Sequence, residues 1–182
     1  MKVVSGLYKG RNILGFDING TRPTMDRVKE SMFAMIQEYI KGSIVLDLFS
    51  GSGNLGIESL SQEASYTYFA DKNKKAYLTI NKNLSNLGIN NAHVLNLDYK
   101  KALQYYRENN IKFNLIFLDP PYDTNYIEES INLITEYNLL QDEGLIICES
   151  SFLNKIIYNN NYQEIKSKKY GDKWVVIIKR IC

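Results

Sequence analysis

The chain has 182 residues, 45% of them hydrophobic and 23% charged, with 22 Lys and Arg against 20 Asp and Glu for a formal net charge of +2. That balance fits one globular domain and excludes a disordered tail, a collagen-like repeat and a disulfide scaffold. No run of about 18 apolar residues is present, so no transmembrane helix is expected.

Residues 2–18 hold two short apolar-rich stretches around Lys9-Gly10-Arg11, the pattern of a β-hairpin or a loose arm with three cations near its turn. Asn19-Gly20 signals a turn, and Thr24 follows Arg22-Pro23 as a helix N-cap. From there Val28, Met32, Met35, Ile36 and Tyr39 recur at helical spacing until Lys41-Gly42. The pattern then alternates. Ile44 to Phe49 predicts a buried strand, Ser50-Gly51-Ser52-Gly53 a glycine turn and Asn54 to Ser61 a helix. Tyr66 to Ala70 predicts the second strand, and Lys74 to Leu87 a helix stopped by Gly88. Ala92 to Leu97 predicts a third strand, followed by Asp98 and a helix to about Arg107. Phe113 to Leu118 is the fourth strand, Asn125 to Tyr137 a helix and Leu145 to Cys148 the fifth strand. Tyr162 to Lys166 and Trp174 to Lys179 are the last two, with a Tyr170-Gly171-Asp172 turn between them. Apolar strands alternating with helices predict an α/β fold, Rossmann-like, with a mostly parallel sheet covered on both faces. The final pair is joined too tightly for a crossover and should be antiparallel. The whole chain, 1–182, reads as a single domain. Residues 1–23 form its arm, and residues 24–182 form the helix and the α/β core.

Other chemistries have little material. His93 is the only histidine, so a histidine metal site or a Ser-His-Asp triad is not expected. Cys148 and Cys182 show no CxxC spacing. The opening residues lack the apolar core of a secretory signal, and the expectation is a reduced, cytoplasmic protein without a bound metal or membrane partner. Charge is uneven. Residues 1–40 hold six basic and four acidic side chains, residues 41–162 ten and fourteen, and residues 163–182 six and two. Basic ends around an acidic middle suit an anionic partner such as nucleic acid, or are simply solvated lysines.

In an open α/β sheet, ligands bind beyond the carboxyl ends of the strands. Four strands end there in an acidic or glycine-rich turn: Asp47 with Gly51 and Gly53, then Asp71, Asp98 and Asp119. The stretch Asp47-Leu48-Phe49-Ser50-Gly51-Ser52-Gly53 lacks a full G-x-G-x-x-G and a Walker lysine, so a phosphate cradle is poorly supported. An acid within it suits a cationic ligand portion. The alternative is a tight packing turn. Asp71 falls about 20 residues past the glycines, where an acid bonds ribose hydroxyls in dinucleotide folds. It also suits a helix N-cap before Lys72. Asp98 could accept from an adenine amino group or cap the next helix.

The strongest signal is Asp119-Pro120-Pro121-Tyr122. Two adjacent prolines lock the backbone just past a strand and remove two donors. The Asp119 carboxylate and the Pro120 carbonyl can then face one point beside an aromatic ring. An exocyclic amine needs that arrangement, because its lone pair is delocalised into the base. Two acceptors on its hydrogens would turn the lone pair out of the ring plane, toward an electrophile, while Tyr122 stacks on the base. A structural turn is the alternative.

These residues resemble a known family. The tetrad matches the (D/N)PP(Y/F) signature of S-adenosylmethionine-dependent amino-methyltransferases, and Asp47 to Gly53 matches their D-x-F-x-G-x-G loop. More narrowly, nearly the whole chain resembles the bacterial 16S rRNA methyltransferases acting on N2 of guanine 966. The match includes Ser5 to Arg11, Arg22 to Glu30 (RPTMDRVKE), Gly51 to Gly56, the tetrad and Glu149-Ser150. One departure is Asn54, where the family often has a small residue.

The resemblance implies a seven-stranded methyltransferase sheet with the last strand antiparallel. It implies a cofactor pocket shaped by Asp47, Phe49, Ser50, Gly51 and Gly53, with Asp71 and Lys72 at the ribose and Asp98 and Tyr99 at the adenine. It places the target base at Asp119, Pro120, Pro121 and Tyr122. The implied substrate is small-subunit ribosomal RNA within an assembled or assembling 30S particle. Lys9, Arg11, Arg22, Thr24 and Arg27 are the expected RNA contacts. A helix start salt-bridged through Asp26 and Glu30 is the alternative for Arg22 and Arg27. Adenine-N6 DNA methyltransferases and release-factor glutamine methyltransferases share parts of these motifs, and an RNA-binding module without activity is the non-enzymatic alternative.

Overall fold

The computed structural model describes residues 1–15, 23–121, 125–150, 156 and 158–181. Arg22, Tyr122, Cys182 and the Asn19-Gly20 turn lie outside them. Helix α1 spans Pro23–Ile40, followed by β1 (Ile44–Asp47), α2 (Asn54–Ser61), β2 (Tyr66–Ala70), α3 (Lys74–Leu87) and β3 (Ala92–Leu95). Then come α4 (Tyr99–Glu108), β4 (Phe113–Leu118), α5 (Tyr126–Glu136), β5 (Leu140–Ser150), β6 (Tyr162–Tyr170) and β7 (Lys173–Arg180). The strands form one seven-stranded sheet in the order β3-β2-β1-β4-β5-β7-β6. The pairs β1–β2, β1–β4, β2–β3 and β4–β5 are parallel, and β7 is antiparallel to both β5 and β6. The order reverses between β1 and β4, so the crevice for a ligand opens there, beyond the ends of those two strands.

Alternation along the strands divides the core. Leu46, Ile116, Leu118, Ile146 and Cys148 pack against Ala102, Leu103 and Tyr106 of α4 and Ile131 and Ile134 of α5. Val45, Leu115, Phe117, Leu145, Ile147, Val175 and Ile177 face the other way, onto Val28, Met32, Phe33, Ile36 and Ile40 of α1. Phe33 stacks on Phe117 at 5.6 Å between ring centroids. A third cluster joins Ile57, Leu60, Ile80 and Leu84 of α2 and α3 to Val3 and Ile13. The N-terminal segment is therefore not loose. Lys2 and Asn12 form an antiparallel bridge, with Val3 N–H donating to Arg11 O and Gly10 N–H to Val3 O.

The structure adjusts several expected bounds. Helix α1 begins at Pro23, a first-turn position where a missing N–H costs nothing. Thr24 is therefore inside the first turn and not at the cap. Asn73, not Asp71, caps α3, accepting from Lys75 N–H at 2.8 Å. Asp98 does cap α4. Strand β5 starts at Leu140, five residues early, because the register to β4 shifts between Phe113 and Leu115. Glu143 there has φ 63, and a Cβ on Gly144 would lie 2.8 Å from Leu140 Cγ. Such a bulge hides a strand behind the polar run Gln141-Asp142-Glu143. Strand β6 extends to Tyr170 at the sheet edge, with polar residues on both faces where sequence alternation is silent.

Candidate active site

The loop after β1 is held by its own side chains. Leu48 N–H donates to Phe117 O at 3.2 Å, which keeps β1 paired with β4 past Asp47. The Ser50 hydroxyl accepts from Ala70 N–H at 3.0 Å, tying the loop to β2. Gly51 and Gly53 have φ of 54 and 81, backbone that favours glycine. A Cβ on Gly53 would also press on Ile80 Cγ1 at 3.3 Å. Asp71 braces the same loop, accepting from Gly51 N–H at 2.9 Å and from Asn73 N–H at 2.8 Å. An ionised carboxylate has about four acceptor sites, so these two bonds leave room for a hydroxyl donor.

Asp47 is buried, and its Oδ2 accepts from Gly56 N–H at 2.9 Å, in the first turn of α2. Gly53, the residue at the helix cap, supplies no side-chain bond, so Asp47 serves that helix end from a distance. Burial pushes its carboxyl up to about 7; the Gly56 bond opposes this and the charge of Asp71 adds to it. Gly56 is needed for the approach, since a Cβ there would lie 2.2 Å from Phe69 Cε1.

Across the crevice, β4 delivers Asp119 and buried Pro120, with Pro121 exposed; Tyr122 lies outside the described residues. Asp119 lies two residues beyond Phe117, and Glu149 two beyond Ile147. By period two, Asp47, Asp119, Glu149 and Lys173 therefore share the α1 face at the carboxyl edge. Burial, first, and the Glu149 charge, second, push the Asp119 carboxyl well above the usual carboxylate range. Lys173 opposes that push and Asp47 adds to it. Glu149 and Lys173 form an ion pair. In the sequence Glu149 is marked only by the Glu149-Ser150 dipeptide of the family resemblance, and Lys173 belongs to no motif. The available signal was positional: both lie just beyond the apolar run of a strand, as Asp47 and Asp119 do.

An aromatic wall borders the crevice. Phe49 stands 5.5 Å from the Tyr99 ring and stacks on Tyr126 at 6.0 Å. The Tyr99 hydroxyl donates to Glu129, which also pairs with Lys100 at 2.8 Å. Desolvation, reinforced by that bond, pushes the Tyr99 phenol up to about 12. Tyr126 escaped the sequence reading because it is brought in by the α5 N-terminus. Asp98 Oδ1 accepts from Lys100 and Lys101 N–H at 3.0 and 3.3 Å, so its capping role is real. Lys72 is exposed beside Asp71.

The expected RNA contacts are divided. Helices α2 and α3 run from the carboxyl edge of the sheet to its amino edge. Leu7 N–H donates to Ser61 O at the end of α2, and Arg11 Nη2 donates to Asn86 O at the end of α3. Lys9 and Arg11 are therefore exposed at the edge opposite Asp119. Helix α1 runs the other way and brings Arg27 to the carboxyl edge, exposed and without an ion pair among the described residues. A buried pair joins the arm to this frame. Lys29 and Glu58, 2% and 0% exposed, meet at 2.9 Å. Lys29 Nζ also donates to Lys2 O and Asn54 Oδ1, while Glu58 accepts from the amides of Val4 and Ser5. Asn54, the departure from the family pattern, is thus a partner of Lys29.

Among the described residues, no group of three or more His, Cys, Asp or Glu could hold a metal ion, and no helix is long and apolar enough to cross a membrane. A family model described as Conserved hypothetical protein 95 matches residues 1–179. A Bacillus subtilis protein is 42% identical over 150 residues, 82% of either chain. Ribosomal RNA small subunit methyltransferase D of Haemophilus influenzae is 36% identical over 176 residues, covering 94% of this chain and 89% of its own. A solved Escherichia coli structure superposes with a TM-score of 0.86 at 30% identity, over 99% of this chain and 97% of that one.

Proposed function

The chain belongs to the Conserved hypothetical protein 95 family, and from that membership and the chemistry of its carboxyl edge we propose that it is an rRNA methyltransferase. Its substrate on this reading is the exocyclic N2 amine of a guanine in small-subunit ribosomal RNA, and its cofactor is S-adenosylmethionine. The names of its relatives support the rRNA class. The guanine N2 position rests on the family resemblance of the arm and the tetrad.

The observation that carries the reading is the pair of strand ends at the reversal point, Asp47 with its glycine loop facing Asp119-Pro120. The residues fit the cofactor. Asp47 is a buried acid whose carboxyl is pushed up by that burial, and the cofactor is cationic. Gly51 and Gly53 keep the loop backbone bare. Asp71 retains acceptor sites for a ribose hydroxyl, and Phe49 with Tyr99 offers apolar surface to the adenine. When bound, the cofactor supplies an electrophilic methyl group on a sulfonium.

The chain's own residues do the rest by positioning, which can supply several kcal/mol of barrier reduction. The target guanine leaves its stack to enter the crevice. Asp119 and the Pro120 carbonyl accept the two amine hydrogens and turn the lone pair out of the ring plane. Asp119 then takes the proton that the methylated amine sheds, directly or through water. Arg27, at the start of the second turn of α1 and at this edge, contacts phosphates, and Arg22 and Thr24, close to it in sequence, are the further candidates. Lys9 and Arg11 reach RNA wrapped to the far edge.

The test is to incubate the protein with methyl-labelled cofactor and, separately, unmodified small ribosomal subunits, naked small-subunit RNA and unmethylated DNA, then digest and identify the labelled product. N2-methylguanosine from subunits or RNA is the expected product; methyladenine from DNA would overturn the substrate. Asp119→Ala should lose methylation by at least a hundredfold while binding the cofactor normally in calorimetry. Normal turnover in that variant would remove Asp119 from its role.

A further inference from the structure

Of the basic segment 163–182, Lys173 alone has been given a part in the site. The lysines of β6 are not spread along the strand but gathered at its end, where Lys166, Lys168 and Lys169 are all exposed. The register sorts them by face. Lys166 pairs with Ile177 and Lys168 with Val175, on the α1 side, while Lys169 pairs with Trp174 on the other. Each face of the hairpin tip then carries a lysine over an aromatic ring. Lys168 Nζ lies 5.2 Å from the Tyr170 centroid, and Lys169 Nζ lies 5.9 Å from that of Trp174.

Position matters as much as charge. Strand β7 is antiparallel to β5, so its first residues stand at the carboxyl edge of the sheet. Trp174 pairs with Ser150, and Val175 with Glu149. Cys148 in turn pairs with Leu118, the residue before Asp119. The hairpin tip therefore stands at the same edge of the sheet as the crevice, with β5 between β4 and β7, and β5 and β7 between β4 and the lysines of β6. It is also fixed to the helix that carries Arg27, because the Tyr170 hydroxyl bonds the Ser31 hydroxyl and Lys166 Nζ donates to Met35 O at 2.8 Å. Lysines on an edge strand discourage pairing with another sheet. That role alone does not require an aromatic ring under each lysine or their concentration at the catalytic end.

We propose that the β6–β7 hairpin tip, through Lys168, Lys169, Tyr170 and Trp174, is an RNA-docking surface that holds the phosphates and unstacked bases flanking the target nucleotide. The proposal rests on the rRNA reading above. Cations that track the backbone, interleaved with rings on which bases stack, are the recurrent means of holding single-stranded nucleic acid. A flipped base leaves such an unstacked neighbourhood beside it. Together with Arg27 on α1, the tip gives the crevice a positive rim on the side away from β1.

The experiment compares wild type with K168A/K169A, W174A and the charge-keeping K168R/K169R. Binding to a small-subunit RNA fragment is measured across a salt series, alongside cofactor affinity and melting temperature. Loss of two phosphate contacts should weaken binding roughly tenfold and reduce the slope of log K against log salt by about 1.4 to 1.8. W174A should weaken binding severalfold with the slope unchanged, and K168R/K169R should keep the wild-type slope. Cofactor affinity and melting temperature should not move in K168A/K169A, which separates docking from folding. An unchanged affinity and slope in K168A/K169A, with wild type binding and methylating the RNA, would overturn this inference alone. A wild-type protein that neither binds nor methylates the RNA would overturn the rRNA reading with it.

Discussion

Asp119 sits among two acids and one lysine, and its role in the proposed reaction requires the carboxylate. Burial and Glu149 hold its pKa above the usual carboxylate range, with Lys173 pulling the other way. In free enzyme, kcat/KM reports the groups that must be ionised before substrate binds. The rate should therefore rise with pH through an apparent pKa well above that of an ordinary aspartate. The neighbours give the sign. Glu149→Gln removes the charge that disfavours ionisation and should move the rising limb to lower pH. Lys173→Met removes the charge that favours it and should move the limb to higher pH. Profiles of kcat/KM for the three proteins over pH 5.5–9 decide the matter, and limbs that coincide would mean that another group governs the rate.

At the level of elements, the buried Lys29–Glu58 pair joins the N-terminal arm, α1 and α2 in one network. Helix α2 begins at the glycine loop after β1, and Asn83 of α3 extends the connection by donating to both Leu14 O and Ser52 O at 3.0 Å. The arm therefore acts as a clamp on the loop's outer side. A second contact fixes its turn: a Cβ on Gly6, at φ 78, would lie 1.9 Å from Ser61 O. Removing one member of a buried ion pair leaves the other charge uncompensated and costs about 3 to 5 kcal/mol. Lys29→Met should lower stability by about that amount in urea unfolding, and the Val4 and Ser5 amides should exchange faster with deuterium. A double variant with Glu58→Gln should cost less than the sum of the single changes, because the two side chains share one interaction. Strict additivity would show that Lys29 and Glu58 act separately.

Across the whole molecule, what the sequence made readable was whatever repeats with a period. The strands that line the crevice, their order of helices and the acids at their ends follow from apolar runs stopped by Asp or Gly. What escaped was set by partners distant in sequence. The Glu149–Lys173 pair depends on β7 entering between β5 and β6, and Tyr126 reaches Phe49 only once α5 is packed. The bulge at Glu143 and the polar edge strand β6 carry no alternation to read. The placement of Lys9 and Arg11 far from Asp119 required knowing which way α2 and α3 run. The same topology gathers buried acids at one edge, and this has a thermodynamic signature. Asp47 is raised in the fold from 3.8 to about 7, so the folded state holds its proton more tightly than the unfolded chain does. Its contribution to stability is fully present below the unfolded pKa and is lost as pH rises through about 7. The cofactor-free protein should therefore lose stability between pH 5 and pH 8, by up to a few kcal/mol from this group. Asp47→Asn keeps an acceptor for the Gly56 amide but carries no charge. It should flatten that decline and melt higher than wild type at pH 8, while binding S-adenosylmethionine at least tenfold more weakly. Melting curves at both pH values, with titration calorimetry at pH 8, measure the two effects together. A variant no more stable than wild type at pH 8 would mean that the Asp47 charge is already compensated without the cofactor.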